Sequence, residues 1–100
     1  MPACHVDPIQ IECFLWDHGL TPNYSGFFYL RTALQLALAG TAISSELLSQ
    51  TADLCRCTRN AVYQGIQIAL GRMDGLPRVC SRQRVYILIH YIAQQLKNER

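Results

Sequence analysis

The spacing of apolar residues predicts a first helix near the start of the chain. In DPIQIECFLWDHG, Ile11, Phe14 and Leu15 recur at the three- and four-residue intervals of a single helix face. Asp7 is a good N-cap, Pro8 takes the favoured first helical position, and the glycine of DHG is placed to close the end. We therefore predict a capped helix that begins at Pro8.

A second helix is predicted after the turn-forming loop TPNYSG. Ser25 is placed to cap it, and the segment FFYLRTALQLALAG carries the helix to an end near Gly40. Its apolar stripe consists of Phe27, Leu30, Leu34 and Leu38. Because this segment has so few polar positions, we expect the helix to be central in the fold.

The pattern shortens after Thr41. AISSELLSQTADLC predicts two short helices, one around Ser44–Leu48 and one around Gln50–Cys55. Arg56–Thr58 then form a tight turn in which Thr58 is the N-cap of a longer helix. The apolar stripe of that longer helix consists of Val62, Ile66, Ala69, Leu70 and Met73.

MDGLP ends this helix, and a last helix follows over Val85–Lys97 with Ser81 as its cap. No segment alternates with period two, and no repeat or linker divides the chain. The pattern therefore predicts one compact all-α domain of five to six helices over residues 1–100.

Composition narrows the class of protein. Half of the residues are apolar and 16% are charged, which favours a globular domain over a disordered chain. The apolar stretches Phe27–Leu38 and Val85–Ile92 are interrupted by polar residues and fall short of the roughly 20 residues that span a bilayer. MPACHVDPIQ lacks the basic and apolar regions of a signal peptide. We expect a cytoplasmic protein with no membrane partner.

The candidate chemistry for catalysis or metal binding is sparse. Five cysteines, an odd number, are widely spaced, which favours reduced thiols over a disulfide framework. Cys55 and Cys57 form C-x-C, but a structural zinc site normally shows a second ligand pair at recognisable spacing. No nucleophile elbow, phosphate loop or paired-carboxylate pattern is present. We expect no enzymatic activity, no small-molecule substrate, no metal and no other cofactor.

Charge is divided unevenly between the two halves of the chain. Residues 1–55 carry one base and five acids, whereas residues 56–100 carry eight bases, seven of them arginine, and two acids. Arginine is well suited to contacts with phosphate and guanine. The basic half is typical of a nucleic-acid footprint, and an arginine-rich solvated surface is the alternative.

A short helix, a tight turn and a longer helix form the pattern of a helix-turn-helix. In that motif the second helix, here about 58–72, enters the major groove of DNA. The candidate base-reading residues point away from its apolar stripe: Arg59, Asn60, Tyr63, Gln64 and Gln67. The candidate phosphate-binding residues are Arg56, Arg72, Arg82 and Arg84. The alternative is that the outward side chains form only a solvated face.

The chain also resembles a known family. ECFLWDHGLTPNYSGFFYLRTAL is similar to the opening of the C-terminal effector domain of the sporulation initiation response regulator, the stage zero sporulation protein A family, with its K-G-Y-x-Y-L-R-x-A-I element. The matching positions are Gly19, Pro22, Gly26, Phe27, Tyr29, Leu30, Arg31, Ala33 and Leu34. LSQTADLCRCTRNAVYQGIQIAL continues the register without a gap at Ala52, Thr58, Val62, Ile66, Ala69 and Leu70. The resemblance covers about residues 9–97.

The resemblance implies a six-helix domain with a helix-turn-helix, which acts as a transcription regulator and pairs head-to-tail with a second copy on double-stranded DNA. The family has Phe where this chain has Cys55, which implies a buried position for this thiol, while Cys57 is expected to be exposed in the turn. No phosphoacceptor receiver domain lies within these 100 residues. The resemblance therefore allows either an excised effector domain or a free-standing relative.

The family's recognition helix departs from this one, because it is rich in Arg, Glu and His on the face that meets DNA. The corresponding residues here are Ala61, Tyr63, Gln64, Gln67 and Ile68. We predict a sequence-specific DNA-binding transcription regulator. The alternative is a protein-interaction module on the same scaffold, with Trp16, Phe28, Tyr63 and Ile68 as candidate apolar anchors, although core packing is the simpler expectation for Trp16.

Overall fold

Five α-helices and no strands make up residues 7–98, the part of the chain that the structure, a computed structural model, describes. The helices are α1 (Pro8–Asp17), α2 (Ser25–Leu38), α3 (Ser45–Cys55), α4 (Arg59–Arg72) and α5 (Arg84–Asn98). The all-α prediction is confirmed. None of these helices is both long enough and apolar enough to cross a bilayer.

Two of the predicted helix starts have the expected caps. The Asp7 carboxylate accepts a hydrogen bond from the Ile9 amide at 2.9 Å, and the Gln10 side chain accepts one from the Asp7 amide at 3.2 Å. Thr58 Oγ1 accepts from the Ala61 amide at 3.1 Å at the start of α4. Each bond satisfies an amide that has no partner within its own helix.

Other predicted boundaries were wrong. α3 is one helix rather than two, because its buried residues Leu47, Leu48, Thr51 and Ala52 recur at helical spacing across the predicted break, and Thr51 donates its hydroxyl to the Leu47 carbonyl at 2.8 Å. Ser25 does not cap α2; it is the first helical residue, and Tyr24 holds the N-cap position without a side-chain bond. The predicted start of α5 is close to the observed one: the Ser81 hydroxyl accepts a hydrogen bond from the Gln83 amide at 3.1 Å, and α5 begins at Arg84, one residue before the predicted Val85.

α2 is the central helix, as predicted, and it packs against each of the other four. Its fully buried side chains include Phe27, Leu30 and Leu34. An ion pair at its edge joins it to α1, where Arg31 Nη1 lies 3.1 Å from Glu12 Oε2. Both partners are about one-third exposed, so this pair contributes on the order of 0.5 kcal/mol.

α2 and α4 approach each other closely where two glycines meet. A Cβ added to Gly26 would overlap the Gly65 carbonyl and lie 2.7 Å from Ala69 Cβ, and one added to Gly65 would lie 2.6 Å from the Tyr29 ring. Only glycine lets the two helices approach so closely, because any side chain would displace backbone or a packed ring. This glycine crossing, formed by Gly26 and Gly65, fixes where α4 lies on the core.

Candidate nucleic-acid interface

The turn between α3 and α4 spans residues 56–58, as predicted. Arg56 has a left-handed backbone conformation, with φ 56° and ψ 48°, and no other non-glycine residue of the described range has positive φ. The Cys57 amide donates to the Ala52 carbonyl at 3.0 Å, which closes the end of α3. Left-handed backbone costs a non-glycine residue about 1–2 kcal/mol, so this turn keeps an arginine at the expense of stability.

The inner face of α4 is the apolar stripe that the sequence predicts. Val62, Ile66, Ala69 and Leu70 are buried, and Met73 is buried just beyond the end of the helix. Gly65 lies beside this stripe at the glycine crossing. The inner face therefore holds α4 against α2, which leaves the opposite face of the helix open to solvent.

The outer face of α4, defined here as Asn60, Gln64, Gln67, Ile68 and Gly71, is exposed along its whole length. Ile68 is 57% exposed, an unusual state for a large apolar side chain. Among residues 7–98, none of the three amide side chains hydrogen-bonds to another protein group. The face is uncharged, and its hydrogen-bonding groups are not engaged by the fold.

Two of the five predicted base-reading residues lie at the side of the outer face. Arg59 is exposed and Tyr63 is half-buried, and together with Asn60 they line a surface groove. The opposite wall of that groove includes Tyr86 from the first turns of α5. Sequence reasoning missed Tyr86, although an aromatic residue outside the apolar stripe of its helix and within the basic half was a usable signal.

The four predicted phosphate-binding arginines lie at four separate places. Arg56 precedes its N-terminus, and Arg72 ends it with its guanidinium 5.5 Å from the centre of the Tyr24 ring. Arg84 is half-buried and lines a groove beside Leu70 and the α4–α5 loop. Arg82 is exposed in the turn before α5, apart from that groove. The structure therefore places cations at both ends of the outer face.

Acidic residues are absent from the long segment that contains α4. No Asp or Glu occurs between Asp53 and Asp74, a segment with three arginines. The α4 N-terminus adds a partial positive charge, because its first amides point out of the helix. Together these features favour an anionic partner along the outer face of α4.

The two thiols around the turn occupy positions other than those expected. Cys55 is half-buried rather than fully buried, with Sγ 3.8 Å from Thr32 Oγ1. Cys57 is also half-buried, rather than exposed, and packs against the core. Cys55 is more exposed than expected because it ends α3 at the edge of the core. Cys57 is more buried than expected because the chain turns back toward α2 after Arg56.

Tyr29 connects the turn to α2. The neighbouring Cys57 side chain, and then burial, raise the pKa of the Tyr29 phenol above its ordinary value. Its ring also lies against Gly65 of α4. Tyr29 therefore contacts both the turn and the recognition-helix candidate, and it holds one against the other.

Residues 7–98 contain no group of three or more His, Cys, Asp or Glu side chains placed to hold a metal ion. Cys4 and His5 lie outside the described residues. The C-x-C pair thus has no further ligands within the described range, and its thiols contact Thr32 and Tyr29 instead.

The apolar anchors of the alternative hypothesis lie on three different helices. Trp16 is 54% exposed on α1, so its expected core position was wrong. It shares the outward side of α1 with Ile9 and Cys13, at intervals of four and three residues. Phe28 is exposed on α2 beneath the Arg31 guanidinium, and Ile68 lies on the outer face of α4.

The residues that carry the family resemblance have structural roles here. Gly26 forms the glycine crossing, Leu30 is buried, and Arg31 pairs with Glu12 of α1. The resemblance rests on these residues alone, because none of the family models, curated proteins and solved structures compared with the chain matches it.

Proposed function

We propose that this chain is a sequence-specific transcription regulator that binds double-stranded DNA through a helix-turn-helix, with α3 as its first helix and α4 as its recognition helix. One observation carries the proposal. α4 is fixed to the core by its inner face and the glycine crossing, while its outer face presents unengaged amides between flanking arginines.

Such a helix suits the major groove for three physical reasons. The groove is about 12 Å wide and admits one α-helix, and base edges there present donors and acceptors that amides can pair with. Arginines at both ends of α4 are placed to neutralise phosphates on either side of the groove. A rigid helix also avoids the cost of ordering the reading surface upon binding.

In this proposal the residues divide into two roles. Base edges are contacted by Arg59, Asn60, Tyr63, Gln64 and Gln67, and phosphates by Arg56, Arg72, Arg82 and Arg84. We further propose that the regulator acts in the cytoplasm and that two copies pair on DNA, in the manner of the effector domains of sporulation response regulators that it resembles. No catalytic step is part of the proposal.

Duplex binding titrated against salt tests the proposal. Affinity for a random-sequence duplex pool should fall steeply as salt rises, because bound phosphates release counterions. Replacing Arg56 or Arg72 by alanine should each reduce the magnitude of the log–log salt slope by about 1. Lys97→Ala, on α5, is the matched charge control and should leave the slope close to that of the parent protein. Absence of binding to any duplex at low salt would contradict the proposal.

A second candidate function is a protein-interaction module, favoured by the exposure of Trp16 and Ile68. It predicts a protein partner that is still captured after nuclease treatment. Trp16→Ser or Ile68→Ser should abolish that capture, whereas Gln94→Ala, an exposed change on α5, should not. Capture that is insensitive to both serine variants would exclude these two anchors.

A further inference from the structure

The side chains on the outer face of α4 differ in which DNA bases they can hydrogen-bond to. Resting on the proposed function, we infer that α4 reads a short run of A·T base pairs with a guanine at one end, so that the operator of this protein is A·T-rich beneath the recognition helix. Three properties of the outer face support this inference: the chemistry of its side chains, the spacing of its amide residues along the helix, and the absence of charged residues.

The three amides match adenine better than any other base. Adenine presents an acceptor (N7) and a donor (N6) in the major groove, and an Asn or Gln side chain presents a donor and an acceptor in the complementary arrangement. Guanine presents two acceptors there, which suit an arginine fork. Cytosine presents a donor that suits a carboxylate, and α4 contains no Asp or Glu. We therefore expect Asn60, Gln64 and Gln67 to select adenine, because their amides fit its donor and acceptor and because guanine and cytosine suit other side chains better.

These amides make no side-chain hydrogen bond within residues 7–98, in contrast to Gln10 and Gln50, although the side chains of Gln35, Gln83, Gln94 and Gln95 make none either. Gln10 accepts from the Asp7 amide and Gln50 donates to Glu46, so both serve the ends or sides of their own helices. Gln64 and Gln67 are exposed and have no such bond within residues 7–98. Both amide groups can therefore bond to a base without breaking an existing interaction.

Ile68 supplies the apolar part of the same reading surface. It follows Gln64 by four residues, so it lies next to that amide on the helix surface, and it is 57% exposed. The thymine C5 methyl is the apolar group of the major groove. A base pair whose adenine bonds to Gln64 presents a thymine methyl on the same groove floor, within reach of a neighbouring apolar side chain.

The spacing sets the length of the A·T run. Asn60 and Gln67 are seven residues apart, which is about 10 Å along a helix axis. Base pairs are stacked at about 3.4 Å, so a helix lying along the groove places Asn60 and Gln67 about three base-pair steps apart, which is a run of about four pairs. Arg59 is the cation beside this row of amides, at its N-terminal end, which places a guanine at that end of the run.

Selection from a random duplex pool followed by base-analogue substitution tests the inference. Selected sites should share three or more A·T pairs next to a G·C pair. In such a site, 7-deazaadenine removes N7 and should weaken binding about tenfold, and uracil in place of thymine should weaken it a few fold because the methyl is lost. Gln64→Ala with Gln67→Ala should reduce the response to 7-deazaadenine to the part that comes from the adenine at Asn60, and Ile68→Ala should remove the response to uracil.

Gln94→Ala is the matched control and should respond to both analogues as the parent protein does. Selected sites that are G·C-rich, or tight sites that are indifferent to 7-deazaadenine, would overturn this inference while leaving DNA binding intact. Failure to recover any bound duplex would overturn the proposed function itself. The two failures are therefore distinguishable in one experiment.

Discussion

The two faces of α4 differ in what determines their residues. On the inner face, Ile66 is buried and Gly65 is the closest neighbour of Gly26, so volume and shape limit the choice at each position. On the outer face, Gln64 and Gln67 are exposed and make no side-chain hydrogen bond within the described chain, so the fold accepts almost any helix-forming residue there. Substitutions on the inner face should therefore change mainly stability, whereas under the proposed function substitutions on the outer face should change mainly DNA binding.

Adjacent residues of α4 provide the largest contrast between the faces. Ile66→Ala should lower the free energy of unfolding by about 2–5 kcal/mol, because it opens a cavity in the core. Gln67→Ala should change it by less than about 0.5 kcal/mol, as surface substitutions usually do. Urea denaturation of the two variants measures both values. Equal costs at the two positions would mean that the faces are not distinguished by packing.

The glycine crossing gives the next largest effect. Gly26→Ala should destabilise by about 1–3 kcal/mol or more, because the new Cβ overlaps the Gly65 carbonyl and the helices must separate. Gly71→Ala is the control on the outer face, where an added Cβ meets nothing within 4 Å. It should stabilise by about 0.5–1 kcal/mol through helix propensity. A Gly26→Ala protein as stable as its parent would contradict the close approach of α2 and α4.

A substitution at Tyr29 tests how much the contact between α2 and the α3–α4 turn contributes to stability. Tyr29→Phe should lower the free energy of unfolding at pH 7 by about 0.5 kcal/mol, because the polar interaction of the phenol with Cys57 is lost. The pKa of Tyr29 is raised in the folded state, so its contribution is complete below the unfolded pKa near 10 and is lost as pH rises through the folded pKa.

Denaturant titrations at pH 8 and at pH 11 test whether the contribution of Tyr29 to stability falls as the pH rises. The stability difference between Tyr29→Phe and the parent should shrink at the higher pH. Tyr91→Phe is a matched control, since Tyr91 is half-buried on α5. A stability difference between Tyr29→Phe and the parent protein that stays constant or grows with pH would contradict the polar interaction between Tyr29 and Cys57.

A substitution at Arg56 should have a small effect on stability, opposite in sign to those at Ile66, Gly26 and Tyr29. Arg56→Gly should raise the free energy of unfolding by about 0.5–1 kcal/mol, because glycine adopts the left-handed backbone without a steric cost. The same variant should bind duplex DNA more weakly and with a salt slope reduced by about 1. A variant that is both more stable and an equally good binder would show that the strained arginine has no part in binding.

Local physical chemistry made the inner face of α4 predictable. The stripe through Val62 and Ile66 and the Thr58 cap depend on residues three and four positions apart, which a sequence displays directly. The predicted break within α3 was wrong because the polar residues suggested a boundary. In the structure, Thr51 is buried and returns its hydroxyl to the carbonyl of Leu47.

The remaining features depend on contacts between distant parts of the chain. Nothing local to Gly26 or Gly65 indicates that they face each other, and Tyr86 joins the groove beside Arg59 only through the packing of α5. Trp16 was expected in the core because large aromatic residues are mostly buried, yet it lies opposite the buried side of α1. Such positions follow from tertiary packing rather than from periodicity.

The affinity of the double variant Gln64→Ala/Gln67→Ala for a selected duplex, at one fixed salt concentration, shows whether the outer face of α4 reads DNA. We expect a loss of about tenfold or more, with the free energy of unfolding within about 0.5 kcal/mol of the parent and with Gln94→Ala binding normally. An affinity equal to that of the parent protein would contradict the claim that the outer face of α4 reads DNA.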